Sequence, residues 1–196
     1  MLYGLSNLTV LRLEESRLEH IDHDVFRDTR RLQTLVLSDN RLASVPPGTL
    51  LVPALRQLSL DGNRLSEIPS DVGFLRELRR VDVSYNRLTT IDRCLLAAVE
   101  RTLDYVNLRQ NPFHCDCRLF WLRALRAGVL SRWADRRAGG AARGRSGAVP
   151  FVPGRCATPA TLRGIAVTNW LDLRCLTTNK VAAAAAAAAA DRCDRI

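Results

Sequence analysis

One six-residue pattern returns five times in this chain of 196 residues. Leu8-Thr9-Val10-Leu11-Arg12-Leu13 recurs as Leu32 to Leu37, Leu55 to Leu60, Leu78 to Val83 and Leu103 to Leu108, with first residues 24, 23, 23 and 25 positions apart. A unit this short cannot bury its apolar face alone, so the copies must stack, each against its neighbours. Within each copy apolar residues alternate with variable ones, which is the period of a short strand. Leu18, Leu42, Leu65 and Leu88, followed by Ile21, Val45, Ile68 and Ile91, then supply an interior between strand and outer arc.

A polar residue closes each copy at one offset: Ser16, Asn40, Asn63, Asn86 and Asn111. An amide both donates and accepts, so a column of Asn satisfies backbone groups left unpaired where each coil turns. The role is a structural ladder, not a catalytic one. Period and pattern lie in the leucine-rich repeat range. They predict an α/β solenoid, a curved horseshoe with a parallel sheet on its concave side.

Alternate strand residues of such a sheet face outward, so the positions between the leucines form the display surface. One column reads Arg12, Val36, Ser59, Asp82, Asn107; the next reads Glu14, Ser38, Asp61, Ser84, Arg109; beyond it come Glu15, Asp39, Gly62, Tyr85, Gln110. Val10, Thr34, Gln57, Arg80 and Tyr105 flank them on the other side. The C-terminal end gathers Arg80, Asp82, Tyr85, Tyr105 and Arg109, and aromatic residues with Arg favour protein interfaces. These five are the candidate ligand-binding residues. The competing reading is ordinary solvated strand positions.

After the fifth copy comes Asn111-Pro112-Phe113-His114-Cys115-Asp116-Cys117, then Leu119 and Trp121-Leu122, then Cys156-Ala157-Thr158-Pro159, Leu162-Arg163-Gly164 and Cys175. This order resembles the cysteine-rich C-terminal flanking region of extracellular leucine-rich repeat proteins, the group with Slit, Toll-like, Nogo-receptor-like and matrix members. The resemblance implies repeats over 1–111, a disulfide-bonded cap over 112–175 and a low-complexity Ala-rich tail over 176–196. It also implies pairing of Cys115 with Cys156 and Cys117 with Cys175; spacing alone leaves three connectivities open. A cap covers the apolar end and open strand edge of the last repeat. Cys115-x-Cys117 beside His114 has zinc-ligand types, yet Cys156 and Cys175 lack the close spacing of a second ligand pair, so no metal is expected. His20 and His23 read as surface histidines.

Charge divides the chain. Up to Cys117, 15 Arg oppose 16 acidic residues; beyond it, 13 Arg and one Lys oppose four Asp, so the net +9 belongs to the C-terminal part. The excess concentrates between Arg132 and Arg155, where 136–147 has almost no apolar content and reads as a mobile loop. Arg136, Arg137, Arg143 and Arg145 there are candidates for binding sulfated glycosaminoglycan by long-range attraction. Compositional drift in a GC-rich coding sequence produces the same surplus of Arg over Lys. Arg-Gly stretches also occur in single-strand nucleic-acid binders, but no aromatics interleave here, and no nucleic acid is expected.

Six cysteines fit an oxidising compartment, outside the cell or at its surface. Met1 to Asn7 lacks the basic start and apolar core of a secretory signal and reads as the tail of an earlier repeat, so the chain is expected to be a piece of a longer protein. Asn7-Leu8-Thr9 is a glycosylation sequon. The apolar run ending in Ala182 to Ala190 is too short to span a bilayer, so membrane attachment would need a span elsewhere. Cys94 and Cys193 fall outside the four-cysteine frame. No nucleophile elbow or phosphate-cradling loop is present, and neither enzyme activity nor a cofactor is expected. The expected function is a binding module presenting its concave face to a protein ligand or receptor in adhesion, signalling or matrix assembly. Alternatives are a glycosaminoglycan-binding matrix protein and a targeting module of a larger extracellular enzyme.

Overall fold

The alternating pattern becomes one three-residue strand per copy: β1 Val10–Arg12, β2 Thr34–Val36, β3 Gln57–Ser59, β4 Arg80–Asp82 and β5 Tyr105–Asn107. The structure, a computed structural model, describes residues 2, 4–97, 99–116, 119, 121–138 and 150–170. The strands pair in parallel without a slip, so Leu11, Leu35, Leu58, Val81 and Val106 stand in one row. Leu35, Leu58, Val81 and Val106 are fully buried and belong to one apolar core that runs through the repeats. The unequal repeat lengths are absorbed on the outer arcs. The first two arcs are turns, the third holds a 3-10 helix at Ser70–Phe74, and the fourth and longest holds α1, Arg93–Ala97.

The coil reverses direction at the same place in every repeat. Glu15, Asp39, Gly62, Tyr85 and Gln110, each just before the polar closing residue, have φ between 52° and 66°. Only one of them is glycine, and there a Cβ would fall 2.2 Å from the Asp39 carboxylate. Glycine at 62 thus supplies close approach as well as the left-handed backbone.

The Asn column is stitched across repeats. The Asn63 amide donates to the carbonyls of Leu37, Leu60 and Asp61 at 2.9, 3.0 and 3.2 Å, and its oxygen accepts from Leu42 N–H at 3.0 Å. Asn40, Asn86 and Asn111 repeat this arrangement, and all four are buried. Ser16 stands at the same offset but is exposed; its hydroxyl donates to Glu14 O at 3.0 Å, and its N–H goes to the Asn40 oxygen at 3.1 Å. A hydroxyl on one carbon lacks the reach of an amide, so the side-chain ladder begins at Asn40.

A second stitch lies on the outer arcs. Buried Asp71 accepts from the N–H groups of Gly48 and Leu50, both at 2.8 Å, closing the turn of the preceding repeat. Nothing in the local sequence marks this residue out.

Beyond the fifth copy, β6 (Pro112–His114) pairs in parallel with β8 (Arg155–Thr158), and a disulfide joins Cys115 to Cys156 with Cα atoms 5.5 Å apart. Closing that 41-residue separation stabilises by roughly 4 kcal/mol on the chain-entropy account. Between them runs α2, Leu122–Ala138, which buries Leu122, Leu125 and Val129 at helical spacing. The loop expected over 136–147 is therefore corrected at its start, because 136–138 belong to this helix. Arg132 donates to the carbonyls of Leu103 and Glu100, at 2.9 and 2.5 Å, and ties the helix to the last outer arc. Further along, β7 (Phe151–Val152) pairs in parallel with β5 as a sixth strand of the main sheet. Phe113 lies against Gly154, where a Cβ would sit 2.2 Å from its ring. A short helix, α3 (Val167–Trp170), ends the described chain. Among the described residues no helix is long and apolar enough to cross a membrane.

Truncating the ladder should be costly. Asn63→Ala leaves the buried Leu42 N–H without a partner and takes one of two donors from each of the Leu37, Leu60 and Asp61 carbonyls, and Asp71→Ala leaves two N–H groups without one. Each is expected to lower stability by about 3 kcal/mol in urea denaturation, against less than about 0.5 kcal/mol for exposed Arg64→Ala. A loss below about 1 kcal/mol for Asn63→Ala would show that the ladder does not hold the stack.

Candidate functional site

Parallel register places the variable strand residues of neighbouring repeats about 4.8 Å apart, so residues far apart in sequence meet on the concave face. Long side chains survive there as exposed groups and short ones are covered. Val36, Ser38, Ser84 and Asn107, assigned to the display columns, are buried. The displayed surface is narrower than the strand pattern implies.

At its C-terminal end the five candidate residues form one connected cluster. The Arg80 guanidinium stacks over the Tyr105 ring at 4.5 Å, and Arg109 stacks over Tyr85 at 4.9 Å while donating to its hydroxyl at 2.9 Å. Asp82 lies between the two stacks. It accepts from Tyr105 at 3.4 Å, Asn107 at 2.9 Å and Ser84 at 2.6 Å, and Asn107 also donates to the Ser84 hydroxyl at 3.2 Å. Ser84 and Asn107 are thus the linking residues that strand alternation alone did not single out. A recess of about 100 Å³ opens beside them, lined by Gln57, Leu58, Ser59, Arg80, Asp82 and Tyr105. Burial pushes the Tyr105 hydroxyl above its ordinary 10.0, and the Asp82 charge pushes it further the same way.

The stacks hold both guanidinium groups in place before any partner arrives. Each Arg retains N–H donors beyond those engaged by its tyrosine. Tyr85 carries a further signature: its φ of 53° belongs to a region that costs a bulky residue of order 1 kcal/mol. Glu15, Asp39 and Gln110 share that backbone region, but only here does the chain place an aromatic in it, 47% exposed.

Toward the N-terminal end the face turns acidic through Glu14, Glu15, Asp39 and Asp61. Burial raises the Asp61 carboxyl above 3.8; the hydrogen bond from Ser38 opposes this, and the charges of Asp82 and Asp39 add to it.

The remaining sequence candidates lie elsewhere. Asn7 is exposed, and its side-chain oxygen accepts from Arg31 at 2.9 Å. Arg136 and Arg137 fall within α2, whereas Arg143, Arg145, Cys117, Cys175 and Cys193 lie outside the described residues. Cys94 lies in α1. His114 Nδ1 is 2.7 Å from the Thr158 hydroxyl, and the Cys115 sulfur is spent in the disulfide. Among the described residues no three His, Cys, Asp or Glu side chains converge as metal ligands.

The raised Asp61 pKa has a thermodynamic consequence. A carboxyl that holds its proton more tightly when folded stabilises fully below the unfolded value near 3.8 and loses that contribution as pH rises through the folded pKa. Asp61→Asn, which still accepts from Ser38, should therefore raise the urea midpoint at about pH 7, with the gain vanishing at about pH 3.5. An unchanged midpoint at neutral pH would contradict the assignment.

Residues 6–65 match the family described as leucine rich repeat. No curated protein matches the chain. Among solved structures, the leucine-rich repeat domain of APL1B is similar at 27% identity and a TM-score of 0.53, over 58% of this chain and 35% of that one. The LRIM1/APL1C complex contains a chain similar at 26% identity and a TM-score of 0.51, over 54% of this chain and 20% of that one. This chain thus spans about a third or less of the length of those proteins. Strand pitch, parallel register, the Asn ladder and these likenesses agree: the chain folds as a leucine-rich repeat solenoid.

Proposed function

We propose that the chain is a non-enzymatic protein-binding module of an extracellular or cell-surface protein, engaging its partner through the C-terminal half of the concave face. The observation that carries this is the paired stacking of Arg80 on Tyr105 and Arg109 on Tyr85 around Asp82. Aromatic and Arg anchors held by their own neighbours lose little freedom on binding, which is what interface hot spots require. Tyr85 supports it independently, because a strained, exposed aromatic contributes nothing evident to the core. The similar LRIM1/APL1C structure is itself a complex, in keeping with a protein partner.

The extracellular reading rests on the Cys115–Cys156 bond, since such bonds persist in oxidising compartments. On this reading 112–175 is the cap of the repeats over 1–111, 176–196 is a tail, and Cys117 pairs with Cys175. Non-reducing peptide mapping of protein from an oxidising host should recover both bonds. Free thiols at all four positions would remove the ground for that compartment.

The binding reading separates from stability at one residue. Tyr85→Gly relieves the left-handed backbone and should leave stability within about 1 kcal/mol of wild type. In a screen against arrayed extracellular protein domains, partners of the wild type should lose about thirtyfold or more in affinity with Tyr85→Gly or Tyr105→Ala, roughly 2 kcal/mol. Partners that bind both variants as tightly as wild type would place recognition elsewhere.

A further inference from the structure

The convex side carries a second, independent surface. Between the outer arcs of the first two repeats lies a groove of about 480 Å³, walled by His23, Phe26, Arg27, Arg30, Leu51 and Val52. That volume suits a few side chains or a small ligand. Its wall is firm. Asp71 clamps the Gly48 and Leu50 N–H groups from the next repeat, and Gly48, at φ +88°, leaves the space that the His23 ring occupies.

The charges in the groove are unbalanced. Asp24 is held by His23 at 3.2 Å, whereas the guanidinium groups of Arg27 and Arg30 have no hydrogen-bond or ion-pair partner among the described residues. Two unpaired guanidinium groups over an apolar floor call for a carboxylate joined to apolar substance. The lining also holds Thr49, whose buried hydroxyl has no hydrogen-bond partner among the described residues.

The apolar surface does not stop at the groove. Leu51 is 56% exposed and Phe74 is 53% exposed, and each stands nineteen residues after the first Leu of its own copy, Leu32 and Leu55. Matching positions in adjacent repeats lie side by side on the arc, so Phe74 continues the strip begun by Leu51. A small molecule filling the groove would leave Phe74 bare. An extended segment covers both.

We propose that this groove and strip bind a peptide segment of a protein partner in which acidic residues adjoin apolar ones, the carboxylates meeting Arg27 and Arg30 and the apolar side chains covering Leu51 and Phe74. The concave face takes no part.

Fluorescence anisotropy with a labelled Glu-Glu-Asp-Leu-Phe-Leu peptide and the full chain provides the test. Saturable binding is expected, weakening as salt rises past the point where exposed charges are screened, about 0.1 M. Arg27→Glu with Arg30→Glu should cost at least tenfold, as should Leu51→Ser with Phe74→Ser, while Tyr85→Gly changes nothing. All five sites are exposed, and an unchanged circular dichroism spectrum and urea midpoint would show that loss of binding is not loss of fold. Equal binding of the neutral Gln-Gln-Asn-Leu-Phe-Leu peptide, indifference to the paired Arg substitutions, or no binding at about millimolar peptide would each overturn the proposal. Binding of octanoate in place of the peptide would overturn it in favour of a small amphipathic carboxylate. Because Tyr85→Gly is a separate arm, failure here leaves the concave-face reading standing, and failure there leaves this one.

Discussion

Everything in this molecule depends on where the backbone polar groups go when each coil leaves the sheet. A three-residue strand pairs only a few N–H and C=O groups with its neighbours, and the turn that follows points the rest inward, away from water. Unpaired, they would cost more than the leucines around them could offset. The Asn column solves this with one amide per repeat, bonding within its own coil and to the coil before it. Because each amide reaches across, it also sets the spacing of the stack. The sheet is in register because the ladder is.

The ladder explains which residues remain free to vary. Inward positions are held by packing and the closing position by hydrogen bonding, so variation is confined to the concave strand positions and the outer arcs. Both candidate surfaces sit there: the Arg–Tyr cluster on the inside, and the groove at Arg27, Arg30 and Leu51 on the outside. A stacked fold supplies two such faces with opposite curvature, and each is assembled by register from residues some two dozen positions apart. The pairing of Arg80 with Tyr105 is an example. Neither residue signals anything alone, but one inter-strand step places a guanidinium over a ring.

The C-terminal segment shows how the end of such a stack is closed. β5 would otherwise present a row of unpaired groups, and β7 covers it with a strand drawn from beyond α2. Arg132 draws the same helix onto the carbonyls of the last arc, and the Cys115–Cys156 bond ties β6 to β8. Sheet pairing, a charged hydrogen bond and a covalent link therefore act on one short region. Each restrains a different element.

The repeat, its strand positions, the inward leucines and the Asn ladder were legible in the amino-acid sequence, because all follow from local periodicity that survives without knowing what packs on what. The five residues of the concave cluster were also legible as one end of the display face, though not as two stacks bridged by Asp82, Ser84 and Asn107. What depends on a partner distant along the chain leaves no such local mark. Asp71 looks like any solvated acid until its carboxylate is seen to close the turn at Gly48 and Leu50. Arg132 reads as the start of a charged stretch, yet its helix is stabilised by burying Leu122, Leu125 and Val129, and packing carried that helix on to Ala138. Phe151 and Val152, two residues in a Pro- and Gly-flanked stretch, carry no strand signal of their own. They become a strand because β5 offers an edge, and only the tertiary structure brings that edge to them.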